Sequence, residues 1–406
     1  MNKIPTKKSG FNPNWQIKTL NEVCNKISAG GDKPDDCTTE KTEENQIPIF
    51  SNGIKNKGLC GYTKTPTITK PALTISARGI IGFACVRYEP FFPIVRLICV
   101  IPNEKLVVLE FLCYALQYII PQGEGTSVPQ LTIPNFKKIE IPIPPLDEQK
   151  RIASALSKID AYLENTIKLI EEKERFKRGI AKKLLTCKEG ENIPEARFKG
   201  FEDEWEIVKL GDICLINNKS LKENTDKDYK FKYIDLTTVK KGIINFSNDY
   251  TTFENAPISA RRIINKNDII MATVRPYLLG HAFIDFEAKD YICSKGFAVL
   301  TANSNIEMKY IYQYLYSDDM AKQIKSRLVG STYPTIRLSD IKELKIKIPK
   351  SIKEQEKIGG YLSLLDKEID NLKKQKELIK EMKRGAMQKL LSGEVRLSKN
   401  AFNENI

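Results

Sequence analysis

Two arginines close two similar apolar runs, Thr74-Ile-Ser-Ala-Arg78-Gly79 and Met271-Ala-Thr-Val-Arg275-Pro276. An arginine delivered to the end of a strand can fork onto a guanine edge or clamp a phosphate. It can equally close a structural ion pair. A polar loop follows each run, Gly125-Thr126-Ser127 in the first case and Gly330-Ser331-Thr332-Tyr333 in the second. Their hydroxyls and backbone N–H groups suit phosphate oxygens or base edges, or else cap a turn into the next helix. Lys55 and Lys57, in Ser51-Asn-Gly-Ile-Lys-Asn-Lys57, and the pair Arg261-Arg262 add further cations, with ordinary solvated charge as the plainer reading. The formal net charge of +14 favours a polyanionic partner over an acidic small molecule. The excess is spread through both halves with no basic tail, so any such contact belongs to folded surfaces.

Catalytic chemistry is poorly supplied, and no catalytic residue is assigned. The chain has no Gly-x-x-x-x-Gly-Lys-Ser/Thr loop to cradle a nucleoside triphosphate, and Gly30-Gly31 and Gly123-Glu-Gly125 are too sparse to claim a cofactor pocket. Histidine chemistry would rest on His281 alone, which reads better as a structural histidine. The nine cysteines are scattered without a Cys-x-x-Cys pair, so no metal site is expected. Their odd number and the lack of a secretory segment after Met1 read as reduced thiols in the cytoplasm. The longest apolar stretch, from Phe91 to Pro102, is broken by Pro93 and Arg96, so no membrane partner is expected.

The elements that must hold these residues are duplicated. Trp15-Gln-Ile-Lys-Thr-Leu-Asn-Glu-Val-Cys24 is answered by Trp205-Glu-Ile-Val-Lys-Leu-Gly-Asp-Ile-Cys214, 190 residues later. The offset grows to 205 between Gly125 and Gly330, then locks at 206 for Glu148-Gln149 with Glu354-Gln355 and for Lys177-Arg-Gly179 with Lys383-Arg-Gly385. A drifting offset marks loops free to vary, and a locked one marks a part whose length matters. In the front part, Leu73–Ala77, Gly82–Val86 and Val95–Val100 read as short strands, and Leu106–Ile120 as a helix stopped by Pro121. Alternating edge strands, Ile139–Pro144 and Leu344–Pro349, close the two front parts.

The period then changes. Ile152, Leu156, Ile159 and Leu163 recur at 4-3-4 spacing, and Ile358, Leu362, Leu365 and Ile369 repeat the register. Two helices of about 39 residues each would run to Leu185 and Leu391, roughly 58 Å long. Leu156, Ile159, Leu362 and Leu365 are expected to pack the helices on each other. Ser351-x-x-Glu354 is expected to form a capping box. The seam turns basic at Lys173, Lys177, Lys376 and Lys383, where a two-helix zipper is expected to fray. Gly179 and Gly385 sit inside the helices, where glycine costs about 1 kcal/mol relative to alanine. Their matched level suggests the close approach of another backbone or a partner.

Several phrases in this order carry a resemblance: Arg197-Phe-Lys-Gly-Phe-Glu-Asp-Glu-Trp205, Pro144-Pro-Leu-Asp-Glu-Gln149 before a long helix, Lys-Arg-Gly followed by Leu-Leu, and Leu390-Leu-Ser-Gly-Glu-Val-Arg396. Over nearly its full length the chain resembles a type I restriction–modification specificity subunit. The resemblance implies an α+β fold with two similar globular target recognition domains separated by two long helices that pair as an antiparallel coiled coil. The division it suggests is 1–147 and 191–350 for the recognition domains, 148–190 for the central helix and 351–406 for the C-terminal helix and tail. It further implies that the chain reads a bipartite, asymmetric site in double-stranded DNA and catalyses nothing alone. Two methyltransferase subunits would bring S-adenosylmethionine, and restriction subunits would bring ATP and Mg2+. The rival readings are a self-sufficient DNA-modifying enzyme and a coiled-coil scaffold that never touches DNA.

Overall fold

In the computed structural model, residues 12–120, 131–188, 190–303 and 305–397 are described. By its contacts the chain forms two compact units. One takes in the residues up to Ile167 together with those from Lys374 onward, and the other runs from Lys168 to Lys373. Each therefore holds one globular part and a half of each long helix.

The first unit is built on a four-stranded antiparallel sheet in the order Cys24–Ala29, Ile98–Pro102, Ala72–Ile75, Ala84–Arg87. Helix Leu109–Ile119 packs on it, and Leu73, Ile75, Ile98, Val100, Phe111, Leu112 and Leu116 make a continuous apolar core. The second unit repeats this order with Cys214–Ile216, Phe297–Ala302, Ile269–Ala272 and Ala282–Phe283. The central strands, Ala72–Ile75 and Ile269–Ala272, are buried along their whole length, which is why they read as apolar runs, interrupted only by Thr74, rather than alternating ones. A second, outer sheet accompanies each: three strands, Leu59–Thr63, Ile47–Phe50 and Phe92–Pro93, in the first unit, and four, Thr251–Thr252, Lys230–Ile234, Tyr291–Ser294 and Ala260–Ile263, in the second. The alternating segments form two-stranded ribbons with the tryptophan phrases, Gln16–Thr19 with Glu140–Ile143 and Glu206–Lys209 with Lys345–Ile348. The expected strand at Val95–Val100 begins only at Ile98, because Val95 and Arg96 turn in the left-handed region.

The helices run from Leu146 to Leu185 and from Ile352 to Ser392. They are antiparallel, since partner numbers fall on one helix as they rise on the other. In the first unit Asp160 pairs with Lys383 at 2.6 Å, and Gln375 donates to the Tyr162 hydroxyl. In the second, Lys173 pairs with Glu368 at 2.7 Å and Lys177 with Asp366 at 2.5 Å. Leu156 is fully buried in the first core beside Leu390 and Leu391, with Ile159 packed against it. Leu362 and Leu365 sit in the second core with Leu184 and Leu185.

Three expectations about the helices need correction. The seam does not fray where it turns basic, because Lys173, Lys177 and Lys383 each meet a carboxylate of the opposite helix. Ser351 and Glu354 form no capping box, because the Glu354 carboxylate is turned to Arg197 instead. Gly179 and Gly385 mark no close backbone approach within the chain, since a Cβ on either would meet nothing within 4 Å. The helix glycine that does so is Gly359, where a Cβ would lie 2.6 Å from the Tyr310 nitrogen. The matching position in the first helix is Ala153, which is why duplication gave no hint of it.

Candidate nucleic-acid interface

In each unit a buried central strand carries its arginine past the edge of the sheet. In the first, the loop Ser51–Gly58 is bonded to that strand end: the Ala77 N–H donates to Asn52 Oδ1 at 2.7 Å, and the Gly53 N–H donates to Ser76 Oγ at 3.3 Å. This places the exposed Lys55 and Lys57 on a loop beside the exposed Arg78. Asn56 and Lys57 both take left-handed backbone conformations. The loop is held there by Arg87, which donates to the Lys57 carbonyl and to Thr74 Oγ1 at 3.1 Å, and whose guanidinium lies 3.6 Å from the centroid of the Phe50 ring. Burial pulls the Arg87 guanidinium below its usual pKa. Thr126 and Ser127 lie outside the described residues. The segment after them returns to the same strand end, where the Leu131 N–H donates to the Ala77 carbonyl at 3.3 Å.

The second unit joins the two segments singled out from the sequence. The Arg275 N–H donates to the Pro334 carbonyl at 2.7 Å, the Ile336 N–H to the Thr273 carbonyl at 2.9 Å, and Val329 and Thr335 bond each other in both directions. Ser331, Thr332 and Tyr333 thus form the tip of a hairpin laid along the Arg275 strand end. Arg275 Nη2 donates to the Thr332 carbonyl at 3.2 Å, and its guanidinium carbon is 4.4 Å from the Tyr333 ring centroid. Arg261 and Arg262 are placed elsewhere, on strand Ala260–Ile263 of the outer sheet. Arg261 lies 4.3 Å from the Phe253 ring centroid, and Arg262 donates to Ser220 Oγ at 3.0 Å. Both are half-buried and held by protein partners.

His281 is fully buried in the second unit. Its Nδ1 accepts from the Ala272 N–H at 3.1 Å, and burial pulls its pKa down to about 4, so the ring is a neutral structural acceptor. Among the described residues no group of three or more His, Cys, Asp or Glu side chains could hold a metal ion, and no helix is long and apolar enough to cross a membrane.

A matched pair of anchors ties each globular part to the helices. Gln149 Oε1 accepts from the Val108 N–H at 2.8 Å, and Gln355 Oε1 accepts from the Glu307 N–H at 3.0 Å. The neighbouring Glu148 and Glu354 are almost fully buried, and each takes a two-pronged arginine: Arg396 on Glu148 at 2.8 and 2.7 Å, and Arg197 on Glu354 at 2.8 and 2.9 Å. The arginine comes in each case from the segment that follows the other helix. Neither pairing was read from the sequence, although both arginines stand in the phrases that carried the resemblance.

Comparison with known proteins accounts for this repeated plan. A family model described as the type I restriction modification DNA specificity domain matches twice, over residues 12–172 and 202–381. The chain belongs to this family. It is 26% identical over 312 residues to the type I restriction enzyme MjaVIII specificity subunit of Methanocaldococcus jannaschii, a match spanning 74% of this chain and 73% of that one. It is 36% identical over 153 residues to the putative type I specificity subunit S.MpnORF89P of Mycoplasma pneumoniae, spanning 37% of this chain and 45% of that one. Its fold is similar to the crystal structure of a type I restriction-modification S subunit from M. genitalium, with TM-score 0.64 and 22% identity over 96% of this chain and 99% of that one. The protein is a type I DNA specificity subunit with two recognition domains, and subunits of this class assemble with other subunits and with DNA.

Proposed function

We propose that the chain reads a split DNA site with two different faces, one around Arg78 and the Ser51–Gly58 loop, the other around Arg275 and the Ser331–Tyr333 hairpin. The observation that carries this reading is the repetition of one sheet order in both units, each central strand followed three residues on by an arginine, with different loops built around the two. A shared frame with divergent loops suits two half-sites of different sequence. Backbone N–H groups, hydroxyls and cations around each strand end supply phosphate contacts that set register, and side chains reaching base edges supply discrimination.

The chain holds no chemistry of its own in this reading. Two methyltransferase subunits carry S-adenosylmethionine to an adenine of the site, and restriction subunits carry ATP and Mg2+. The absence of a triphosphate-binding loop from the sequence supports assigning ATP to partners. A DNA substrate and a complex of this kind support a cytoplasmic location.

The test is an exchange of residues 15–143 for the matching segment of another specificity subunit, in the complex with its methyltransferase subunits, followed by mapping of methylated adenines. One half-site should change and the other persist. Simultaneous change of both would refute separate reading faces. Methyl transfer by the purified chain alone would refute the non-catalytic assignment.

A further inference from the structure

The turn after Arg275 is built at a conformational cost. Arg275 and Leu279 both lie in the left-handed region, with φ of 47° and 57°, and between them Pro276–Leu278 makes one tight helical turn. A side chain with a Cβ is disfavoured there, most of all at leucine. The turn is nevertheless held at each end. Pro276 is buried, the Arg275 N–H donates to the Pro334 carbonyl, and the Leu279 carbonyl accepts from the Lys241 N–H at 3.0 Å. Its effect is to push two large side chains outward, leaving Tyr277 51% and Leu278 59% exposed. Tyr333, on the adjoining hairpin, is 64% exposed. Singly exposed apolar residues are ordinary, but these three stand on two segments bonded to one another.

Cations stand on the segments bonded to this turn and its strand. Lys240 and Lys241 stand exposed in the small hairpin that pairs Val239–Lys240 with Ile243–Ile244 and is bonded to Leu279, and Arg337 stands exposed just after Ile336, which is bonded to Thr273. An apolar tip between cationic flanks fits a DNA groove, with phosphates at the rims and thymine methyl groups on the floor. Arg275 itself is partly committed. Its guanidinium faces the Tyr333 ring and gives one N–H to the Thr332 carbonyl, an arrangement that orders the hairpin. In the first unit Gly79 and the buried Ile81 follow the arginine, where the second unit has Pro276, Tyr277 and Leu278.

We propose that the second unit reads its half-site through an apolar tip of Tyr277, Leu278 and Tyr333 set against thymine methyl groups in the major groove, and that Arg275 is a positioning residue that props Tyr333. This deepens the DNA-reading function above and rests on it.

The experiment uses the full complex with its methyltransferase subunits and duplexes carrying the mapped site, with each thymine of the second half-site replaced in turn by uracil, which lacks the methyl group. Loss of one buried methyl contact should weaken wild-type binding about fourfold at one or two positions. Tyr277→Ala, Leu278→Ala and Tyr333→Ala should each reduce that sensitivity, while discrimination at the first half-site stays intact. Arg275→Ala should also reduce it and leave the salt dependence of binding unchanged, whereas a lost phosphate contact would lower the salt slope by about one. Wild-type indifference to uracil at every thymine overturns the proposal without needing any variant. Tip variants that keep full sensitivity overturn it as well, and a lowered salt slope in Arg275→Ala overturns the positioning role. Failure of the DNA-reading function itself would look different, as a complex with no preferred sequence in either half-site.

Discussion

Arg197 and Glu354 offer a direct test of how the second unit is held together. Glu354 is 1% exposed, and the Arg197 side chain that meets it through two hydrogen bonds is 14% exposed. Arg197→Met keeps much of the side-chain volume and removes the charge, leaving a carboxylate buried without its counter-ion. Breaking a buried pair in this way costs about 3–5 kcal/mol. For a folding unit of 150–250 residues each kcal/mol lowers the melting temperature by about 2–4 °C, so the expected fall is about 6–20 °C. The two tryptophans make the measurement specific. Trp205 donates from Nε1 toward Glu354 Oε1 at 3.4 Å, and Trp15 is buried in the other unit. In a Trp15→Phe background, thermal unfolding followed by tryptophan fluorescence reports the second unit alone. The double variant Arg197→Met/Glu354→Gln removes the stranded charge and keeps an acceptor for Trp205, so it should recover most of the loss. A fall of under about 3 °C in the single variant, or a double variant no more stable than the single, would refute the reasoning. Arg396→Met should have the smaller effect on the first unit, because the Arg396 side chain is 54% exposed and water can take its place.

Other outcomes follow from the same structure. His281 has a pKa near 4 when folded and about 6.5 when unfolded, so the unfolded chain takes up the proton first. The stability it contributes is present above about pH 6.5 and drains as pH falls toward 4, on the order of 3 kcal/mol in all. His281→Asn, whose oxygen can still accept from the Ala272 N–H, should flatten the fall in melting temperature between pH 6.5 and 5; an unchanged profile would contradict this. Gly179→Ala and Gly385→Ala should each stabilise the isolated chain by about 0.4–1 kcal/mol, since a Cβ there meets nothing. Gly359→Ala should destabilise it by about 1–3 kcal/mol because the new Cβ strikes the Tyr310 backbone. Chemical denaturation of the three variants checks the opposite signs.

The sequence alone determined the duplication, the alternation of a variable globular part with a fixed-length helix, and the strand ends that carry Arg78 and Arg275. These are local properties: periodicity, offset and apolar runs survive in one dimension because each strand or helix must present its own face to a core. The burial of Leu156 and Leu362, one on each helix, was legible for that reason. Only tertiary structure decided that Arg197 and Arg396 close on the buried glutamates that start the opposite helices, contacts 157 and 248 residues apart in sequence. It alone set Gly359 rather than Gly179 or Gly385 at a tight backbone contact, and Arg275 beneath Tyr333 rather than free in solvent. No local pattern encodes such pairings, because a charge or a missing Cβ acquires its role from whichever distant surface the fold brings within a few ångströms.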